Sequence, residues 1–220
     1  MYKYIIFILL TLGNSYDIHN DGFTIFRGNV SKKEVLNTLP DGYIFLDYIY
    51  KINCSTLTTF HRDITSSQYV FNSKYPIYTY LQYLNKRDGN LPLLSICPGS
   101  HLSVPFLWSF PIDIYGEYGD SVLFNSDLVH AGALSDLGVD RYSEQYKVIH
   151  IEDQHILDQI KGTNFITECV ESNNSEYNVY RLLSWFFSYP INHLFTNYIG
   201  KRHLYLDIIA EYLFGNTFKT

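Results

Sequence analysis

The stretch Phe60-His61-Arg62-Asp63 decides how the rest of this sequence is interpreted. It places a histidine and an aspartate two residues apart, and His130 follows 67 residues after Asp63. Two histidines and one carboxylate are the composition of a facial triad of metal ligands, which leaves one side of the metal open. The sequence therefore predicts a metal site built from His61, Asp63 and His130.

An H-x-[DE] pair is weak evidence by itself, because 8 histidines and 22 acidic residues among 220 positions produce about one match by chance. The sequence around each pair is therefore needed to distinguish them. The sequence contains three matches, which begin at His19, His61 and His150. Only the His61 pair follows a β-branched run, at 55–60, that predicts a strand. Alternate residues of a strand face the same side, so both side chains of the pair can reach one ion.

The two other pairs are alternatives. The His19 pair has no arginine suitably placed after a partner histidine. The His150 pair would need His193, with Arg202 nine residues further on, and these residues lie among aromatic, helix-like segments. The His61 pair is therefore favoured over both. Histidines that serve only as ordinary polar groups of a metal-free domain are the remaining interpretation.

Further features follow the His61 pair in order. They are Pro98-Gly99-Ser100-His101, Gly119-Asp120 before an apolar run at 121–124, His130, and Arg141 eleven residues after His130. In these features, over about residues 20 to 150, the chain resembles the phytanoyl-CoA dioxygenase-like family of Fe(II)/2-oxoglutarate oxygenases. The resemblance implies a mainly β fold with flanking helices, whose core is a double-stranded β-helix of the jelly-roll or cupin-like type.

The resemblance also implies roles for individual residues. His61, Asp63 and His130 correspond to the iron ligands, and Arg141 to the residue that pairs with the distal carboxylate of the cosubstrate 2-oxoglutarate. A guanidinium fork suits that bidentate contact. His101 belongs to a turn beside the active-site opening and is expected to be structural or substrate-facing. Because halogenating relatives replace the carboxylate ligand with a small residue, Asp63 favours hydroxylation.

Two positions depart from the family pattern. Family members often have Gln where this chain has Arg62, and Ser or Thr where it has Gly132. We predict an Fe(II)- and 2-oxoglutarate-dependent dioxygenase that hydroxylates a small-molecule or modified-residue substrate with O₂. The alternative is a catalytically silent barrel that binds a ligand or has a structural role. A net charge of −6 without a basic run argues against nucleic acid as a partner.

The remaining sequence predicts the elements around the site. Strands are expected at 22–27, within 43–50 and at 77–84, and a capping-box helix is expected to begin at Ser31. In the third strand, the face with Tyr78, Tyr80 and Gln82 is a candidate lining of the cosubstrate pocket. Tyr80 is its candidate cosubstrate contact. Packing of these aromatic side chains against neighbouring strands is the competing interpretation.

The chain divides into three predicted parts. Residues 1–15 are a possible signal peptide or a buried N-terminal segment, which leaves a secretory or a cytoplasmic location open. Residues 16–152 form the barrel domain. Residues 153–220 form a helical extension, with helices at 153–161, 176–188 and 202–214, that packs on the barrel. No transmembrane span is predicted, because 1–15 is too short and 182–199 contains Pro190, two asparagines and a histidine.

Overall fold

The computed structural model of this chain describes most of residues 16–153 and little beyond them. The described residues are 16–47, 49–54, 60–63, 68, 73–84, 91–102, 109–132, 141–153, 164–168, 183 and 185. The predicted targeting segment (1–15) and the predicted helix at 202–214 lie outside these ranges, as does the predicted helix at 153–161 except for Asp153, which ends a 3-10 helix (Ile151–Asp153). Of the predicted helix at 176–188, Leu183 and Trp185 are described, and both are helical.

The described residues form ten strands and one short α-helix. The strands are β1 (Phe23–Phe26), β2 (Tyr43–Phe45), β3 (Ile49–Cys54), β4 (Tyr78–Tyr83), β5 (Leu91–Ile96), β6 (Ile112–Gly116), β7 (Ser121–Asn125), β8 (His130–Gly132), β9 (Arg141–His150) and β10 (Asn164–Glu168), and the helix is α1 (Lys32–Leu36). The predicted capping box is present at the start of α1. The Ser31 hydroxyl accepts from Glu34 N at 3.2 Å, and the Glu34 carboxylate accepts from Ser31 N at 2.7 Å.

The strands form two sheets. The large sheet has the order β1-β7-β4-β9-β3-β10, with β2 also paired to β9, and the small sheet has the order β6-β5-β8. The chain passes from β4 in the large sheet to β5 and β6 in the small one, returns to β7, and crosses again to β8 and back to β9. Antiparallel strands that alternate in this way between two sheets form a double-stranded β-helix. The predicted fold is therefore confirmed.

Alternating side chains give the large sheet two apolar faces. Leu81 of β4 and Val122 of β7 pack into the space between the sheets, against Ile96 of the small sheet. On the opposite face, Tyr80 and its neighbours pack against Val35 of α1. Each fully buried aliphatic or aromatic side chain contributes about 1.5–3 kcal/mol, so both faces stabilise the sheet that carries much of the site.

The strand predicted within 43–50 is present as β2, and β3 begins at Ile49 in the same segment. β2 pairs with residues 148–150 of β9, and β3 pairs with residues 141–145. The strand predicted at 55–60 lies outside the described part of the chain except for Phe60, which is not in a strand. The next residue, His61, makes an isolated antiparallel bridge to His130. This bridge extends the small sheet by one residue beside β8.

The C-terminal region also contributes to the barrel. β10 lies within the segment predicted as a helical extension, and it pairs in parallel with β3. Trp185 is buried with Phe60, Val129 and Ala131. Within the described ranges, no helix combines the length and the hydropathy that a membrane span requires.

Candidate metal centre

The bridge between His61 and His130 brings the two ends of the predicted motif together. His61 N donates to His130 O at 2.9 Å, and His130 N donates to His61 O at 3.0 Å. The imidazole rings lie 4.5 Å apart, centroid to centroid. Backbone pairing between residues 69 positions apart therefore places both histidines side by side.

Asp63 completes the cluster. Its Oδ1 lies 3.7 Å from His61 Nε2 and 3.6 Å from His130 Nε2. One ligand atom from each of the three residues lies within 4.8 Å of the others, so the three side chains could hold one metal ion. Among the described residues, no other group of three histidine, cysteine or acidic side chains is this close. The structure thus brings together the three predicted ligands.

The protonation state of His130 suits a metal ligand. Its Nδ1 lies 2.8 Å from Leu128 O, a carbonyl that can only accept, so Nδ1 carries the proton and Nε2 keeps its lone pair. Burial and the neighbouring His61 lower the pKa of His130 to about 4, against the opposing effect of Asp63. His130 is therefore neutral at pH 7, and the nitrogen that faces Asp63 is the one able to bind a cation.

Asp63 is held as a charged carboxylate. Burial raises the pKa of Asp63, but the Lys147 ammonium, His130 and His61 outweigh burial and hold that pKa well below its usual range. Lys147 Nζ donates to Asp63 Oδ2 at 2.7 Å, and Thr79 Oγ1 donates to the same oxygen at 2.8 Å. The backbone is also fixed, because Asp63 N donates to Ser126 O at 2.9 Å.

Arg62 aligns the two ligands on either side of it. Its side chain is 1% exposed and donates to the carbonyls of Ser100 and Asp127. Burial of Arg62 away from the cluster leaves His61 and Asp63 facing it together, as expected for residues two positions apart. Arg62 thus has a structural role.

The Pro98–His101 turn supports the same arrangement. Gly99 has a φ of +74°, which glycine adopts at little cost. Ser100 Oγ accepts from Val129 N at 2.8 Å, next to His130 in sequence, while its carbonyl accepts from Arg62. His101 Nε2 donates to His19 O at 3.0 Å, so His101 anchors the N-terminal segment, in agreement with a structural role.

The alternative H-x-[DE] pairs are placed elsewhere. Asp21 accepts from Asp17 N in a local turn, and His19 is exposed. His150 packs against Tyr75, with the ring centroids 3.8 Å apart and the rings tilted by 33°, whereas Glu152 forms an exposed ion pair with Lys74. His193 lies outside the described residues. Neither pair belongs to a three-residue cluster in the described part of the chain.

Tyr80 does not reach the cluster, and this corrects the sequence prediction. Thr79, its neighbour on β4, contacts Asp63. Because successive side chains of a strand point to opposite faces, Tyr80 lies on the other face, where it packs against Phe45 and Tyr146. The competing interpretation, aromatic packing, describes Tyr80 correctly.

Arg141 is placed by its backbone. It begins β9 and pairs with Cys54 of β3. It precedes Lys147 by six residues, an even number, so both positions belong to the same face of the strand. At about 3.4 Å per residue they are separated by about 20 Å along the strand. Its role toward a cosubstrate stays a prediction.

Lys147 and Thr79 contact Asp63, and neither was predicted from the sequence. Lys147 is 2% exposed and sits in the apolar stretch 146–149. A lysine in the middle of such a strand is a signal, since lysine is almost never fully buried unless paired. The partner could not be read from the sequence, because Asp63 lies 84 residues away.

Comparisons with known proteins add the following similarities. No family model and no curated protein matches the chain. Similar solved structures include the non-heme alpha ketoglutarate dependent epimerase SnoN from nogalamycin biosynthesis, with a TM-score of 0.40 at 13% identity, over 61% of this chain and 80% of that chain. The alpha ketoglutarate dependent carbocyclase SnoK from nogalamycin biosynthesis gives 0.43 at 13% identity, over 71% and 92%. HygX from Streptomyces hygroscopicus gives 0.41 at 13% identity, over 60% and 83%. At these values the fold assignment rests on the strand order, and the candidate site on its own geometry.

Proposed function

We propose that this chain is an Fe(II)- and 2-oxoglutarate-dependent oxygenase of the phytanoyl-CoA dioxygenase-like type, which hydroxylates a small molecule or a modified residue. The observation that carries the proposal is the convergence of His61 Nε2, His130 Nε2 and Asp63 Oδ1 at one point. Two imidazoles and one carboxylate are the donor set of non-haem Fe(II) sites that keep open positions. The His61 side chain is 19% exposed, so the cluster can be approached from that side.

The described residues fit the metal in charge as well as in number. His130 offers a neutral nitrogen, and Asp63 offers one negative oxygen while its second oxygen is occupied by hydrogen bonds. The chemistry supplied when Fe(II) and 2-oxoglutarate are bound is O₂-dependent hydroxylation of a C–H bond, coupled to decarboxylation of 2-oxoglutarate to succinate and CO₂. The chain supplies placement of the ligands and a partly water-shielded barrel interior.

Arg141 is proposed to bind the distal carboxylate of the cosubstrate. Position 141 and Lys147 lie on one face of β9, and Lys147 contacts the ligand Asp63. The resemblance supports this assignment, because Arg141 stands eleven residues after His130, where the family has its cosubstrate-binding arginine.

One observation favours the alternative, a catalytically silent module. The Lys147 ammonium already neutralises Asp63, so the buried carboxylate has a cationic partner before any metal binds. A silent barrel could keep this ion pair for stability alone. Binding of Fe(II) together with 2-oxoglutarate distinguishes the two functions, since a silent module has no reason to bind both.

The test is an anaerobic titration with Fe(II) and then 2-oxoglutarate, followed by visible absorption. A metal-to-ligand charge-transfer band is expected for the wild type and is expected to vanish in His130→Ala, which lacks one ligand. The matched control is His19→Ala, which removes an exposed histidine from one of the rejected H-x-D pairs.

Circular dichroism should first show that all three proteins are folded. A folded wild type without the band would favour the silent module. Loss of the band in His19→Ala, with the band retained in His130→Ala, would indicate that the metal is bound by the His19 pair.

A further inference from the structure

Lys147 is a buried cation inside the candidate metal centre. Its Nζ lies 2.7 Å from Asp63 Oδ2 and 2.8 Å from Thr79 Oγ1, and the residue is 2% exposed. An ammonium placed beside metal ligands repels a metal ion, so Lys147 affects metal binding as well as the stability of the metal-free protein. Its position suggests a function in the loaded site.

The hydrogen bonds divide the two oxygens of Asp63 between different partners. Oδ1 faces the two histidine nitrogens, whereas Oδ2 accepts from Lys147 and Thr79. Thr79 has one hydroxyl proton and donates it to Asp63, so Ser126 Oγ, 3.0 Å away, donates to Thr79. Asp63 is therefore oriented to offer a metal one oxygen rather than two.

The charge of the loaded site follows from the same contacts. A divalent metal bound to one carboxylate and two neutral imidazoles carries one net positive charge. The Lys147 ammonium adds a second. A dianionic chelator would neutralise the two positive charges carried together by the metal, its three ligands and Lys147, whereas a monoanion would leave one of them, so these groups favour the dianion.

We propose that Lys147 is a positioning residue that holds Asp63 as a one-oxygen ligand and adjusts the site charge to select a dianionic cosubstrate. This inference rests on the proposed function and names a determinant of its cosubstrate specificity. The proposal predicts opposite effects of Lys147 on two binding affinities. Lys147 weakens metal binding, because it repels the cation, and strengthens binding of the dianion to the metal-loaded protein.

The experiment measures both affinities in Lys147→Met. Mn(II) replaces Fe(II) because it binds oxygen and nitrogen ligands and does not support turnover. Calorimetry measures Mn(II) binding first and then 2-oxoglutarate binding to the Mn(II)-loaded protein. Removal of the ammonium should tighten Mn(II) binding about threefold or more and weaken 2-oxoglutarate binding about tenfold or more. A merely structural lysine would not move the two affinities in opposite directions.

Two further variants complete the design. Lys147→Gln keeps an N–H donor for Asp63 but removes the charge, so it should shift both affinities in the same directions even if Lys147→Met does not fold. Lys51→Met is the matched control, because Lys51 forms a partly exposed ion pair with Glu144 on the same sheet, with Nζ 3.3 Å from Oε1. It should leave both affinities within about twofold.

The outcomes separate the two proposals. If the wild type binds Mn(II) but the folded Lys147 variants change neither affinity, or change both in one direction, the inference about Lys147 is wrong and the proposed function stands. If the folded wild type binds neither Mn(II) nor 2-oxoglutarate, both the proposed function and the inference about Lys147 are wrong.

Discussion

At the scale of single residues, the site depends on what surrounds each ligand. The pair His61 and Asp63 converges because Arg62 is buried on the opposite side and tied to two carbonyls. His130 presents Nε2 because Leu128 O fixes its tautomer. Substitution of Arg62 by an apolar residue would remove its hydrogen bonds to both carbonyls, each worth about 1.5–3 kcal/mol for a charged donor.

Arg141→Ala is expected to weaken 2-oxoglutarate binding at least about tenfold and to leave Fe(II) affinity within about twofold, because the loss is confined to a distal carboxylate contact. Arg141→Lys should recover part of the affinity, since it keeps the charge but not the bidentate fork. Anaerobic titrations of the charge-transfer band measure both constants. Lys33→Ala, which removes an exposed cation of α1, is the control. Unchanged 2-oxoglutarate affinity in Arg141→Ala would remove Arg141 from the site.

At the scale of elements, the turn before β7 joins β1 to the barrel. Asp120 accepts from Gly28 N at 2.6 Å, from Arg27 Nη1 at 2.8 Å and from Glu117 N at 3.0 Å. Gly119 has a φ of +88°, and a side chain there would collide with Asn29. The Gly-Asp pair therefore fixes the start of β7, the strand that leads to Ser126 and His130.

Asp120 predicts a pH-dependent part of the stability. Burial raises the pKa of Asp120, but the hydrogen bonds from Gly28, Arg27 and Glu117 outweigh burial and lower it. Because the folded-state pKa is depressed, the contribution is present above the unfolded value of about 3.9 and is lost as pH falls through the folded value. Asp120→Asn should thus lower the free energy of unfolding by about 1–3 kcal/mol at pH 7 and by less at pH 3.

Urea unfolding of the wild type and Asp120→Asn at pH 7, 5 and 3 measures this difference. Asp41→Asn, which changes an exposed carboxylate, is the control and should give a small difference at every pH. A penalty for Asp120→Asn that stays constant from pH 7 to pH 3 would show that the charge of Asp120 is not what stabilises the turn.

Elements with local signals were predictable, and those that depend on distant partners were not. The capping box of α1 and the Gly-Asp start of β7 each depend on residues within a few positions of one another in the sequence. The face of Tyr80 and the partner of Lys147 depend on which strands pair, and residues 84 positions apart carry no local trace of that contact. The order of the H-x-D motif, His130 and Arg141 predicted the fold through a resemblance rather than through periodicity.

At the scale of the whole molecule, the C-terminal region contacts the barrel at two described places. β10 pairs with β3, which would otherwise end the large sheet on that side. Trp185 packs beside Phe60, which precedes His61, and beside Val129 and Ala131, which flank His130. Trp185 also stacks on Phe110, with the ring centroids 5.7 Å apart. The contact thus lies directly behind the two histidines.

Trp185→Ala is therefore expected to lower the free energy of unfolding by about 3 kcal/mol, as for other large-to-small changes at buried aromatic sites. It should also weaken Fe(II) binding, because the strands that carry His61 and His130 lose their packing on one side. Leu183→Ala, in the same helical segment but 38% exposed, is the matched control and should cost less than about 1 kcal/mol. Urea unfolding with and without Fe(II) measures both effects. Equal stability of Trp185→Ala and Leu183→Ala would mean that the C-terminal segment does not brace the metal centre.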